Sequence, residues 1–185
     1  MLFMSRTHRS LITAVLVIMM PGMANPATWA QYWQNLDHAA YVQVGNGPVL
    51  VYDFFDPNCA YCLTPYKMEQ SYIQSGKLTV RYIPVGFLTG SSFGKAAAML
   101  QARNPQWALA VDMRGIAESG KGGIAPLMPT SATRYGLQRN QALLEQSGVD
   151  IVPDLVFRLP DGHVGMIKGV FPGYAMESIA AGRMP

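Results

Sequence analysis

Residues 49–67 read VLVYDFFDPNCAYCLTPYK, and this stretch decides the fold. It opens with a short apolar run rich in valine and aromatic side chains, which predicts a buried strand. The turn signal Asp56-Pro57-Asn58 follows, and residues compatible with a helix continue past Cys62. The pattern therefore predicts a strand, a tight turn and a helix, with Cys59 close to the N-terminus of that helix.

Cys59 and Cys62 are the only cysteines in the 185-residue chain, and they are spaced C-x-x-C. Unpaired N–H groups and the helix dipole at the start of a helix stabilise an anion. A thiolate is such an anion, and the thiolate fraction sets the reactivity of a thiol. We therefore interpret the pair as a thiol–disulfide exchange centre that is itself the redox-active group, with no further cofactor and no metal.

Two other interpretations of this cysteine pair stay open. A structural disulfide would close a very small loop and would therefore stabilise the fold little. A zinc site normally has four ligands, and outside the N-terminal segment only His38 and His163 could join the two sulfurs. Redox chemistry is favoured because the pair follows a strand and precedes a helix.

The N-terminus has the three-part layout of a secretory signal peptide. Arg6 and Arg9 form a basic lead, residues 11–20 are apolar, and small residues lead up to Ala24. We predict cleavage after Ala24, which removes residues 1–24; because the apolar run is short for a membrane span, an uncleaved anchor is the less favoured alternative. The layout is typical of bacteria and predicts the periplasm, an oxidising compartment that suits a working cysteine pair.

The charge and length of the chain narrow its class further. The formal charge is +3, and subtracting Arg6 and Arg9 leaves +1. No long run of lysine and arginine is present, which argues against a nucleic-acid partner. The mature length is typical of a single domain. We predict a linker-like N-terminal helix at 25–48 and a catalytic domain at 49–185.

An aromatic stripe precedes that domain. Trp29, Tyr32, Trp33 and Leu36 are spaced so that they share one face of a helix. Packing into the core is the favoured interpretation of this face. A docking surface for a partner is the alternative.

The chain after the cysteines predicts a βαβ unit and then a helical block. Residues 78–85 form a strand parallel to the first, and Pro65 is expected to kink the helix between them. Residues 92–148, with a break at Asn104-Pro105, predict a helical insertion. Its loop at 120–129 either borders a substrate groove or is a solvated linker.

The last part of the chain contains an X-Pro bond at the start of a strand. Val152-Pro153 is a candidate cis peptide there. Asp161-Gly162 predicts a hairpin turn, and residues 174–181 predict a closing helix.

This order of elements is similar to the thioredoxin fold, an α/β fold, with a helical insertion. The sequence resembles the DsbC/DsbG-type periplasmic thiol:disulfide interchange proteins, and within them the DsbG branch most closely. The resemblance spans roughly residues 29–181 and is carried by Trp33-Gln34, Tyr41, residues 49–52, Asp56-Pro57, Cys59-Ala60-Tyr61-Cys62, residues 75–77, Leu100, Asn104-Pro105 and Val152-Pro153. Those relatives have an N-terminal dimerisation domain, which we expect to be missing here, and the oligomeric state stays open.

The resemblance implies roles for several residues and partners. Cys59 as a thiolate would attack, and Cys62 would resolve the mixed disulfide. Pro153, with Val152, would present backbone polar groups to the substrate. Proteins that carry disulfides or oxidised cysteines would be the substrates, and a membrane thiol reductase of the DsbD type would be the electron partner.

Two departures from the DsbG pattern lie at the site. The dipeptide between the cysteines is Ala60-Tyr61, where DsbG has Pro-Tyr, and this dipeptide influences the nucleophile and the redox poise. Val152 stands where the isomerases usually have threonine, and Val-Pro resembles the oxidase DsbA.

The third departure is Asp53, which lies six residues before Cys59. Thioredoxin and DsbA have an acid at the matching position, whereas DsbC and DsbG are apolar there. A buried Asp53 would have a raised pKa and could accept the proton of Cys62, with Tyr61 also tuning proton traffic. A strand-end residue turned to solvent is the alternative.

Three functions are consistent with the sequence. A DsbG-like isomerase or reductase is favoured. A DsbA-like oxidase is supported by Val152 and Asp53. A non-catalytic envelope chaperone or assembly module would use the aromatic helix and the loop at 120–129.

Overall fold

The computed structural model describes residues 26–148 and 150–185, so the predicted signal peptide lies outside the described residues. The described elements are α1 (Pro26–Leu36), β1 (Val42–Gly45), β2 (Val49–Phe55), α2 (Leu63–Gln74), β3 (Leu78–Pro84), α3 (Ser92–Leu100), α4 (Pro105–Ser119), α5 (Ser131–Gln146), β4 (Asp154–Arg158), β5 (Val164–Lys168) and α6 (Gly173–Ala180). A 3-10 turn, Ala60–Cys62, leads into α2. None of the described helices is both long and apolar enough to cross a membrane.

β2 lies at the centre of a five-stranded sheet with the order β1-β3-β2-β4-β5. It pairs in parallel with β3, and α2 connects the two strands, which confirms the predicted βαβ unit. β4 runs antiparallel to β2, and β5 runs antiparallel to β4. The predicted hairpin turn joins β4 to β5, and Gly162 has a φ of 89° there, a conformation that favours glycine. The parallel strands β2 and β3 end together at Phe55 and Pro84, so the turn before Cys59 lies at this end of the sheet.

The sheet begins earlier in the chain than residue 49. β1 falls within the segment 25–48, for which the sequence predicts a linker-like helix, yet it pairs antiparallel with β3 from Val42 to Gly45. The strand is only four residues long, so its pattern carries little signal. Between residues 26 and 48, only α1 is helical.

Pro65 does not kink α2, which corrects the prediction. The helix begins at Leu63, because Ala60–Cys62 forms a separate 3-10 turn. Pro65 therefore lies in the first turn, where a missing N–H leaves no intrahelical bond unmade.

Two hydrophobic clusters cover the two faces of the sheet. Cys59 and Cys62 belong to the cluster on the α2 side. On the other face α1 buries Tyr32, Trp33 and Leu36, so core packing of the aromatic stripe is confirmed. The rings of Trp33 and Tyr52 meet edge to face with centroids 5.0 Å apart.

Helices α3, α4 and α5 lie between β3 and β4, where the sequence predicts the insertion. The break between α3 and α4 is a helix start: Asn104 accepts the N–H of Trp107 at 3.0 Å, and Pro105 is the first helical residue.

Asn140 attaches α5 to the rest of the domain. Its side chain is fully buried and donates to the carbonyls of Ala40 and Pro84, each at 2.8 Å. It also accepts the N–H of Ala40 at 2.9 Å. One amide thus joins the insertion to the segment before β1 and to the end of β3.

Candidate active site

Cys59 and Cys62 form a disulfide at the start of α2. Cys59 is the N-cap of the 3-10 turn, and its sulfur accepts the backbone N–H of Cys62 at 3.1 Å. Cys59 retains 3% of its surface and Cys62 retains none. The two sulfurs therefore differ in access and in polar contacts. After reduction, the backbone N–H of Cys62 would stabilise negative charge on the Cys59 sulfur.

The dipeptide between the cysteines faces solvent. Ala60 is exposed, and Tyr61 is 72% exposed. Tyr61 therefore presents its ring on the outer side of the disulfide, away from the buried groups beneath it.

The Val152–Pro153 peptide is cis, as predicted. Pro153 is buried and Val152 half-buried immediately before β4. The carbonyl oxygen of Val152 lies 3.9 Å from the Cys59 sulfur. The structure thus brings together two stretches that are about ninety residues apart in the chain.

Asp53 is fully buried, so the solvent-facing alternative is wrong. Neither carboxyl oxygen has a hydrogen-bond partner among the described residues. Burial raises the pKa of Asp53 well above its usual value, and repulsion from Glu69 and Asp154 raises it further. Asp53 is therefore suited to hold a proton at neutral pH.

Glu69 is a second buried acid that the sequence interpretation missed. It lies on α2 with no exposed surface, and its Oε2 accepts the hydroxyl of Tyr82 at 2.7 Å. Burial raises its pKa to about 8, and the hydrogen bond from Tyr82 opposes part of that rise. A signal was present: Glu69 follows Cys62 and Pro65 at helical spacing, and all three are buried.

Asp56 has the opposite environment, although it too is fully buried. Its Oδ1 accepts from the N–H of Asn58 at 2.9 Å and the hydroxyl of Ser92 at 2.7 Å. Its Oδ2 accepts the N–H groups of Phe87 at 2.9 Å and Leu88 at 3.0 Å. This carboxylate joins the turn before Cys59 to the loop after β3 and to the start of α3.

We expect Asp56→Asn to destabilise the fold by about 2 to 3 kcal/mol, because the amide presents an N–H₂ group where two donors need an acceptor. Urea unfolding of the oxidised protein measures the loss. The exposed Asp150→Asn makes the same chemical change and should lose almost nothing. Equal losses in the two variants would contradict the prediction.

The loop at 120–129 borders the active-site turn through Lys95. The ammonium group donates to the carbonyl of Gly122 at 2.6 Å and to the side chain of Asn58 at 2.8 Å. The first half of the loop is therefore held next to the residue that precedes Cys59.

No group of three or more histidine, cysteine, aspartate or glutamate side chains is placed to hold a metal ion within residues 26–148 and 150–185. Burial and the neighbouring acids therefore set the pKa values of the titratable groups of the site. Asp53 and Glu69 both lie near Tyr82, and no described lysine, arginine or histidine forms an ion pair with either acid.

Curated relatives of the chain include two thiol:disulfide interchange proteins DsbG. The Pseudomonas aeruginosa protein is 30% identical over 143 residues, which cover 75% of this chain and 54% of the relative. The Escherichia coli protein is 26% identical over 145 residues, which cover 76% of this chain and 56% of the relative. The chain thus spans about half the length of these relatives. No family model matches it.

Solved structures show the same fold. The catalytic domain of Proteus mirabilis ScsC superposes with a TM-score of 0.66 at 20% identity, covering 84% of this chain and 96% of that one. A periplasmic thioredoxin-like protein from Salmonella enterica serovar Typhimurium has a TM-score of 0.64 at 19% identity, covering 82% of this chain and 94% of that one. The predicted thioredoxin fold is confirmed, and about three quarters of the chain is similar in sequence to the DsbG thiol:disulfide interchange proteins.

Proposed function

We propose that the protein is a thiol:disulfide oxidoreductase that reduces or isomerises disulfides, or reduces oxidised cysteines, in other proteins. One observation carries this proposal. The Cys59–Cys62 disulfide begins α2, and its Cys59 sulfur both receives a backbone N–H and lies 3.9 Å from the Val152 carbonyl. A metal site or a simple staple would not require the strand of Pro153 beside the sulfur.

The roles of the two cysteines follow from their surroundings. The Cys59 thiolate attacks a substrate sulfur, because only this cysteine retains exposed surface. The product is a mixed disulfide and a substrate thiolate. The Cys62 thiol then loses its proton and attacks Cys59, which restores the Cys59–Cys62 disulfide and releases the second substrate thiolate. Two electrons pass from the dithiol to the substrate disulfide.

Exposed apolar side chains near the disulfide support a protein substrate. Tyr61 lies between the cysteines, Ile151 precedes Val152, and Phe87 and Leu88 lie in the loop that Asp56 holds. These side chains are 39% to 72% exposed. An apolar rim of this kind suits an unfolded segment that carries a cysteine.

An oxidase of the DsbA kind is the second candidate, and it is favoured by the buried Asp53, which has no hydrogen-bond partner in the described part of the chain. Equilibration with glutathione buffers separates the two directions. We expect a potential near or below about −180 mV, as in disulfide isomerases, rather than the value of about −120 mV typical of DsbA. A value near the second figure would favour the oxidase.

The cellular context belongs to the same proposal. The protein would work in the periplasm after removal of residues 1–24. Its catalytic domain would comprise residues 49–185 together with β1. A DsbD-type membrane reductase would return the cysteine pair to the dithiol. Mass spectrometry of periplasmic extracts tests the placement, since the intact mass identifies a cleavage after Ala24. Recovery only from the cytoplasm, with residues 1–24 attached, would contradict it.

A further inference from the structure

The α2 side of the sheet holds two carboxyl groups beneath the disulfide. Asp53 extends from β2 and Glu69 from α2, and neither has any exposed surface. Three of their four oxygens, both of Asp53 and Oε1 of Glu69, have no hydrogen-bond partner among the described residues. Buried polar atoms are almost always paired, so this cluster calls for an explanation.

We propose that Glu69 is a positioning residue that forms a proton-sharing pair with Asp53 and thereby sets the pH at which Asp53 exchanges a proton with Cys62. This inference rests on the proposed exchange function and adds a residue to it.

Strand alternation places the pair on the face that carries the cysteines. Val51, Asp53 and Phe55 point to one side of β2, because side chains alternate along a strand. Val51 and Phe55 pack in the same cluster as Cys59 and Cys62. Asp53 therefore faces α2, the helix that begins directly after Cys62.

Tyr82 connects the two acids. It is the register partner of Asp53 on the neighbouring strand, and its hydroxyl donates to Glu69 at 2.7 Å. Gln70 in turn donates to the Tyr82 oxygen at 3.3 Å. The phenol is thus held as a donor to Glu69, which leaves the other Glu69 oxygen free.

Within the described ranges, the groups that face the pair supply no positive charge. Tyr66 on α2 and Tyr82 on β3 have raised pKa values. Asp154 on β4 pairs with Phe54 and therefore lies on the opposite face of the sheet, from where its charge also raises the pKa of Asp53. Two carboxylates in such a site cannot readily ionise together. The pair therefore retains a proton near neutral pH, and the charge of one acid controls the proton affinity of the other.

This arrangement suits the second step of exchange. When Cys62 attacks the mixed disulfide, its thiol proton must leave, and the ionised Asp53 takes it. The released substrate thiolate takes up a proton from solvent, so protons and electrons balance. Proton transfer is most effective when the acceptor has a pKa near the working pH, and Glu69 maintains that condition.

The test is the pH dependence of resolution in single turnover, with a preformed mixed disulfide between Cys59 and a model peptide thiol. Glu69→Gln keeps the side-chain shape and an oxygen for Tyr82 but removes the charge. The rate of resolution rises with pH as Asp53 ionises. We expect the midpoint of this rise to fall by about one pH unit in Glu69→Gln, because Asp53 then ionises more readily. The exposed Glu118→Gln should leave the midpoint unchanged. An unchanged midpoint in Glu69→Gln would overturn the inference.

The Asp53→Asn background separates a proton role from a structural one. Glu69→Gln should have no further effect on the midpoint there, and a persisting shift would overturn the inference. Carboxyl carbon NMR titration of the oxidised protein provides a readout that needs no exchange activity. The Asp53 resonance should titrate at lower pH in Glu69→Gln. It should also titrate at lower pH in Tyr82→Phe, because Glu69 without its donor stays protonated to higher pH and repels the Asp53 charge less. No change in either variant would contradict the pairing even if the exchange function failed.

Discussion

Replacing Cys62 by serine is expected to stop the reaction at the mixed disulfide, whereas replacing Cys59 by serine is expected to abolish exchange. The reason is the difference between the two sulfurs. Cys59 has the residual exposure, the N–H contact and the Val152 carbonyl beside it, while Cys62 has no exposed surface. Mass spectrometry after incubation with a disulfide-bonded peptide should find a covalent adduct only in Cys62→Ser.

Alkylation of the reduced wild-type protein provides the control for this prediction. At about pH 6, free cysteine is largely protonated and reacts slowly, whereas Cys59 should react first because its thiolate is stabilised. Cys62 should be labelled only after unfolding. Adducts in both serine variants, or equal and slow labelling of both sulfurs, would contradict the assignment of the nucleophile.

Asp53→Leu is expected to stabilise the oxidised protein at pH 8 by about 2 kcal/mol, because it removes a buried acid to which none of residues 26–148 and 150–185 donates a hydrogen bond. The folded pKa of Asp53 is raised, so the folded protein keeps a proton that the unfolded chain releases above about pH 4. Wild-type stability therefore decreases as pH rises from there towards the folded pKa, and the leucine variant should lose part of this slope.

Urea unfolding at pH 4 and pH 8 measures both effects, and the exposed Asp150→Leu serves as the control. A variant that is less stable than wild type at pH 8 would contradict the prediction.

The same Asp53→Leu substitution should slow the Cys62-dependent step while leaving the first attack by Cys59 unchanged, since only the second step needs a proton acceptor beneath the disulfide.

Local sequence was enough to predict the central βαβ unit and the redox pair. The strand before Asp56, the C-x-x-C spacing and the Val152-Pro153 bond each have a short-range signature. Burial of Asp53 was predictable as well, because the strand leads straight into the site. Such features depend on a few neighbouring residues, so tertiary contacts do not override them.

The rest depends on contacts between distant segments. Glu69 shares a helix face with Cys62 and Pro65, but it is a charged residue in a polar run of α2, so the sequence does not indicate that this face packs on Tyr82. The four donors to Asp56 come from three separate stretches of chain. β1 is too short to be recognised without its partner β3. In each case, a residue that looks solvated in sequence becomes interior through a partner far along the chain.

The attachment of the helical insertion has a consequence for protein engineering. Ser92, Lys95 and Asn140 belong to this block, and through them it supplies a donor to Asp56, a cation beside Asn58 and an amide that holds Ala40. A minimal thioredoxin made by excising residues 92–148 would remove a donor from each of Asp56, Asn58 and Ala40. The helical insertion could therefore be neither deleted nor transplanted as an independent unit. Its backbone amides should exchange hydrogen cooperatively with those of the turn before Cys59.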